Sequence, residues 1–164
     1  MKSLVILLLL ITSALHAQNN IPEEMAGTWE LKVPGEGEVP SQIFQWIFYS
    51  NDSGENIAEF HWLFKRIEDL DYLTVFAVKG NLVVDHNVFT LSTFTTGSQQ
   101  IGGKLEFYEE IKWFTEGDPK FDRYPKHESH FFEIEANKLK VQDDFNGDGD
   151  FDDQEETTIY TKVN

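Results

Sequence analysis

From Pro22 onward the chain is a run of short segments rich in Val, Ile, Phe, Tyr, Trp and Thr, with apolar and polar residues alternating at period two. No segment keeps a helical period over three turns, and Phe64–Leu70 comes nearest to one short turn of helix. This pattern restricts the chain to an all-β architecture. It predicts strands over Gly27–Val33, Gln42–Tyr49, Ile57–Phe64, Tyr72–Lys79, Leu82–Asp85, Val88–Thr95, Lys104–Phe114, His127–Glu135, Leu139–Gln142 and Thr158–Val163. Turn chemistry punctuates them at Pro34-Gly35, Asn51–Gly54, Lys79-Gly80-Asn81, Asp85-His86-Asn87, Gly102-Gly103 and Asn146-Gly147. Short strands with hairpin-length turns make an antiparallel up-and-down meander, not parallel βαβ units. So many strands must curl into a barrel or split into a sandwich, because open edges pair with other chains. The longest irregular connection is Glu116–Lys126, which holds Pro119 and Pro125.

The 164 residues suit one domain with a sizeable core, and 40% hydrophobic content with 14 Phe argues against intrinsic disorder. The formal charge is −16, from 13 Lys and Arg against 29 Asp and Glu. An acidic surface of this kind argues against nucleic acid, whose phosphates need clustered basic side chains. It argues equally against an anionic membrane surface and points to cations or to a solvated exported surface. With no Cys, the chain has no disulfide, no thiolate metal site, no Cys nucleophile and no Cys-linked lipid.

Residues 1–17 read as a secretory signal peptide. Lys2 supplies the positive start, Leu4–Ile11 an apolar run and Ala14-Leu15-His16-Ala17 a small-residue exit. The run is far short of the ~20 residues that span a bilayer. Cleavage after Ala17 leaves residues 18–164 as one exported domain, periplasmic or extracellular, with no further segment apolar enough for membrane insertion.

Two rows of large rings, Phe44, Trp46 and Phe48 and then Phe60, Trp62 and Phe64, each share one face of a strand. They fill either a core or the wall of a ligand cavity, and periodicity alone does not separate the two. At the ends of the domain stand Gly27-Thr28-Trp29 and Thr158–Val163. This pairing resembles the calycin superfamily, which comprises lipocalins, fatty-acid-binding proteins and the lipocalin-like domains of exported bacterial proteins. The resemblance implies a roughly eight-stranded antiparallel barrel. In it Trp29 sits at the closed floor and Lys162, on the last strand, lies over the indole in a cation–π contact. First and last strands must be neighbours if the sheet has no edges. Two features of the wider family are missing. The chain ends on a strand, not on the lipocalin C-terminal helix, and Pro34–Pro40 is a loop where fatty-acid-binding proteins carry a helical lid.

The sharpest motif is Asp144-Phe145-Asn146-Gly147-Asp148-Gly149-Asp150-Phe151-Asp152-Asp153-Gln154-Glu155, which fits the EF-hand calcium loop D-x-[DN]-x-[DN]-G-x₅-E at every defined position. Ca²⁺ takes about six to eight oxygen ligands. Asp144, Asn146 and Asp148 supply side-chain oxygens at loop positions one, three and five, and Gly149 permits the sharp turn at six. Asp150 offers a backbone carbonyl, Asp152 a carboxylate or a bridging water, and Glu155 a bidentate carboxylate. The bland alternative is an acidic hairpin, since Asn-Gly and Asp-Gly are turn dipeptides in their own right. So many carboxylates in one short loop repel each other unless a cation joins them. The flanks alternate as strands, so the expectation is an isolated structural Ca²⁺ site that pins the final hairpin, not a paired sensor.

Other constellations carry less. His127 and His130 point to opposite faces of one strand, which suits an edge residue or a single core His better than a metal pair. Glu109 is in phase with Leu105, Phe107, Ile111 and Trp113: a buried carboxylate holding a ligand's polar end if that face is interior, ordinary surface otherwise. The chain has no G-x-S-x-G, H-E-x-x-H, phosphate-loop or dinucleotide fingerprint. The sequence therefore predicts a non-enzymatic, calcium-binding, lipocalin-like barrel that holds a small apolar ligand against Phe60, Trp62, Phe64 and Glu109. The alternative is a cavity-less module, stabilised by calcium, that docks a protein or a glycan. An enzymatic reading needs Glu109 to converge with His61 or His130. A cavity of roughly 300 Å³ or more separates the carrier from the docking module.

Overall fold

The computed structural model describes residues 20–65, 71–100, 107–143 and 156–163. Nine strands follow in chain order: β1 (Gly27–Val33), β2 (Ser41–Ser50), β3 (Asn56–Lys65), β4 (Leu73–Asp85), β5 (Val88–Gln100), β6 (Phe107–Thr115), β7 (His127–Glu135), β8 (Lys138–Gln142) and β9 (Thr157–Val163). All pairings are antiparallel. The order is β4-β3-β2-β1-β9-β8-β7-β5, and β4 also pairs with β5, so eight strands close a ring with no free edge. The up-and-down meander expected from the sequence is thus a closed barrel, not a sandwich.

Most strand ends move by a residue or so from the sequence expectation, β5 runs on to Gln100 and not Thr95, and two features of the layout differ outright. The Lys79-Gly80-Asn81 turn does not exist. Lys79, Gly80 and Asn81 all lie inside one long strand, β4, and the β4–β5 register shifts between Lys79 and Gly80. The glycine is there because the chains crowd: a Cβ on Gly80 would stand 2.5 Å from the Ser92 carbonyl oxygen. Second, β6 and β7 share one edge of β5. Thr95–Gln100 pairs with β6, and Val88–Ser92 pairs with β7. The two strands therefore follow each other along that edge, interrupted by the 116–126 excursion, and the Thr93 amide bonds the Lys126 carbonyl (2.9 Å) at the break. Of the Phe64–Leu70 segment, Phe64 belongs to β3 and residues 66–70 lie outside the described residues.

The interior is graded from one end to the other. Met25, Trp29, Phe48, Phe89, Leu91 and Leu139 are wholly buried and plug the end where β1 begins. Gly27, at φ +116°, turns the chain into β1 so that Trp29 points inward, and the Trp29 Nε1–H donates to the Met25 carbonyl at 2.8 Å. Toward the other end the aromatic rows of β2 and β3 stack across the two strands: Phe44 on Phe60 at 6.4 Å and on Trp62 at 5.9 Å.

Candidate functional site: a barrel cavity with an acidic end

The inward faces of β1 to β4, β7 and β9 leave a cavity of about 370 Å³. Its apolar wall comprises Leu31, Phe44, Trp46, Phe60, Phe76 and Val78. The 116–126 excursion completes it: Tyr124 and Pro125 line the cavity, and the Tyr124 ring stacks on Phe76 at 4.5 Å. Among the excursion's own backbone bonds, Asp122 N–H donates to the Asp118 carbonyl and Tyr124 N–H to that of Phe121. Phe121 is itself buried, so the excursion is anchored at the barrel mouth.

The opposite lining is polar and comes from β7, β9 and the residue after β8. Glu128 and His130 lie on the same inward face of β7, two apart as the strand period requires. Asp143 stands one place beyond Phe131↔Gln142 in the β7–β8 ladder, which brings it opposite His130. The His130 Nδ1 bonds the Asp143 carboxylate, while His130 Nε2 is buried with no hydrogen-bond partner among the described residues. The imidazole is wedged between Phe89 (4.7 Å, stacked) and Trp46 (5.4 Å, edge-on), which leaves it little freedom to rotate. Burial pushes the Glu128 carboxyl above its ordinary value, with neighbouring His130 opposing and Asp143 adding. Burial also pushes the Tyr160 hydroxyl up to about 12 against a hydrogen bond from Trp46, so the phenol stays neutral.

The residues expected from sequence fall as follows. Phe60 lines the cavity. Trp62 is 39% exposed at the rim, stacked on Phe44 and donating through Nε1 to Gln42 Oε1 at 2.9 Å, and neither it nor Phe64 lines the cavity. Trp62 stays in phase with Phe60 on β3 and faces Phe44 across an unbroken β2–β3 register, but the cavity ends short of it; the β3–β4 register shift falls after Trp62, where Val75 of β4 is left over. Glu109 is exposed on β6 and outside the cavity. His61 does not meet His130: it stands in an ion cluster with Glu59 (3.0 Å), flanked by Lys79, Tyr49 and Trp113. Burial would raise the Glu59 carboxyl, but hydrogen bonds from His61, Lys79 and Tyr49 outweigh it and hold the group at about 2.

Trp29 and Lys162 face each other across the β1–β9 ladder, with the Lys162 Nζ 5.1 Å from the indole centre. The calcium-loop residues Asp144, Asn146, Asp148, Asp150, Asp152 and Glu155 lie outside the described residues, as does the 1–17 segment. What is described is the base of that loop: Gln142 pairs with Thr157, and Asp143 N–H donates to the Glu156 carbonyl at 3.0 Å. Among the described residues no three His, Asp or Glu side chains are grouped to hold a metal ion.

Sequence reasoning read His130 as an edge or core histidine, which is buried, and missed Glu128, Asp143, Tyr124 and Tyr160. The signal that joins Glu128 to His130 was present as same-face spacing on β7. Asp143 needed the hairpin register, which the weak turn Ala136-Asn137 does not announce. Compared with known proteins, the chain matches no family model, no curated protein and no solved structure.

Proposed function

We propose that this protein is an exported, non-enzymatic carrier of a small apolar ligand, built as a calcium-stabilised barrel of the lipocalin-like kind within the calycin superfamily. The observation that carries the reading is the cavity of about 370 Å³, walled by Phe44, Trp46, Phe60 and Phe76. Its size exceeds the roughly 300 Å³ at which ligand cavities begin, and aromatic walls with a few convergent polar groups are the usual composition of such sites. The Trp29–Lys162 contact at the plugged end supports the lipocalin-like assignment. For calcium, the support is the donor set of 144–155 together with the closed base of its loop. The final ladder bond joins Asp143 to Glu156, so the twelve residues between them begin and end at one point, as a chelating loop requires. When bound, Ca²⁺ would supply charge neutralisation for these carboxylates and restrain the β8–β9 connection.

The test of the carrier reading is the fluorescence of N-phenyl-1-naphthylamine, a neutral apolar probe. Its emission rises on adding the protein and fails to rise with Val78→Phe, which fills the cavity from its wall. No enhancement with the unmodified protein overturns the reading.

A further inference from the structure

The acidic end of the cavity specifies more than apolarity. The Asp143 carboxylate accepts from His130 Nδ1, which places the proton of a neutral imidazole on Nδ1 and leaves Nε2 as a lone-pair acceptor. That Nε2 is buried and, among the described residues, unpartnered, in a residue only 9% exposed that lines the cavity. Beside it Glu128 offers a carboxylate, again an acceptor, that burial disfavours in its charged form. Among the described residues no Lys or Arg lines this cavity, so Glu128 has no basic side chain there to pair with. The opposite wall presents the faces and edges of Phe44, Trp46, Phe60 and Phe76, surfaces that favour cations as well as apolar groups.

A site with a carboxylate and an imidazole acceptor, no basic side chain among its described lining and aromatic walls is complementary to a group that is all donor, positively charged and attached to an apolar body. We propose that the ligand is a small amine in its protonated form, its ammonium held by Glu128 and His130 Nε2 and its apolar part lying against the β2–β4 rings. This rests on the carrier reading and deepens it. An ammonium has three N–H donors, which suits the acceptors assembled here, and it restores to Glu128 the counter-charge that burial denies it. A carboxylate or phosphate ligand is disfavoured by the same groups through like-charge repulsion.

Calorimetric titration at neutral pH with tryptamine and with tryptophol, its neutral alcohol counterpart, tests the assignment. Tryptamine is expected to bind at least ~10-fold more tightly than tryptophol, the range of a charge-assisted hydrogen bond. In Glu128→Gln the preference should shrink to about twofold or less, and in Glu128→Asp, which keeps the charge, most of it should return. Far-UV circular dichroism of both variants establishes that they fold. Equal or tighter binding of tryptophol, or a preference that survives in a folded Glu128→Gln, overturns the proposal. The naphthylamine probe separates the two levels. If it binds while tryptamine shows no preference, only the amine assignment falls; if it does not bind, the carrier reading falls with it.

Discussion

The Lys162 Nζ, on the last strand, stands 5.1 Å from the centre of the Trp29 indole on the first, and the two residues are partners across the β1–β9 ladder. The same ammonium donates to the Glu24 carbonyl at 2.9 Å, tying the segment before β1 to the strand that closes the barrel. One side chain therefore links three parts of the seam where a meander of this kind must close.

Trp29 is fully buried, so Trp29→Ala should cost about 3–5 kcal/mol, a large share of a small domain's stability. Lys162→Met keeps the stem and loses the charge and the hydrogen bond, with an expected cost of ~1–2 kcal/mol. Urea titration followed by tryptophan emission measures both, and a Lys162→Met midpoint equal to that of the parent would show that the seam does not depend on the cation.

Calcium should raise the unfolding temperature by a few degrees over an EDTA-treated sample. A ligand at about tenfold its dissociation constant contributes roughly 1.4 kcal/mol, and a domain of this size converts that into a shift of several degrees at most. Asp148→Ala and Glu155→Ala should each abolish the rise. Superimposed melting curves with and without millimolar Ca²⁺ would leave an acidic hairpin in place of a metal site.

Glu59 governs an acid-sensitive contribution on the outer wall. Its carboxyl lies at about 2 in the fold against an ordinary 4.5, because bonds from His61, Lys79 and Tyr49 overcome the opposing effect of burial. A depressed carboxyl stabilises the fold fully above its unfolded value, and that contribution is lost as pH falls from about 4.5 toward 2. The difference in stability between the parent and Glu59→Gln should therefore be largest near neutrality and shrink across that interval. A difference that stays constant from pH 6 to pH 2.5 would contradict the assignment.

Gly80→Ala should destabilise by about 1–3 kcal/mol, since its Cβ would meet the Ser92 carbonyl oxygen, a backbone atom that cannot swing away. Thermal unfolding gives the number. A neutral effect would mean that β4 and β5 separate locally at the bulge without penalty.

Much of the fold was written in the order of residues. The period-two alternation of β1, β2, β3, β7 and β8, and the turn residues between them, set an antiparallel meander, because each strand needs one apolar face and each hairpin needs particular backbone angles. The Gly27-x-Trp29 start and Lys162 near the end told which strands meet. The acidic spacing of 144–155 is likewise complete in the sequence, since the proposed calcium site would draw all its donors from twelve consecutive residues.

What the tertiary structure decided are the features that depend on register between distant strands. Gly80 read as a turn, yet it is a close-packed bulge, because a glycine marks backbone crowding as readily as a bend. Trp62 and Phe64 keep the alternation of Phe60, yet the cavity stops short of both, and no alternation pattern shows where a cavity ends. His130 and Asp143 are 13 residues apart in sequence and join only because the β7–β8 ladder places them opposite one another. Tyr124 reaches Phe76 from an excursion with no strand or helix period of its own. A sequence fixes which side chains alternate and which turns are permitted; closure of the sheet fixes which of them share a cavity.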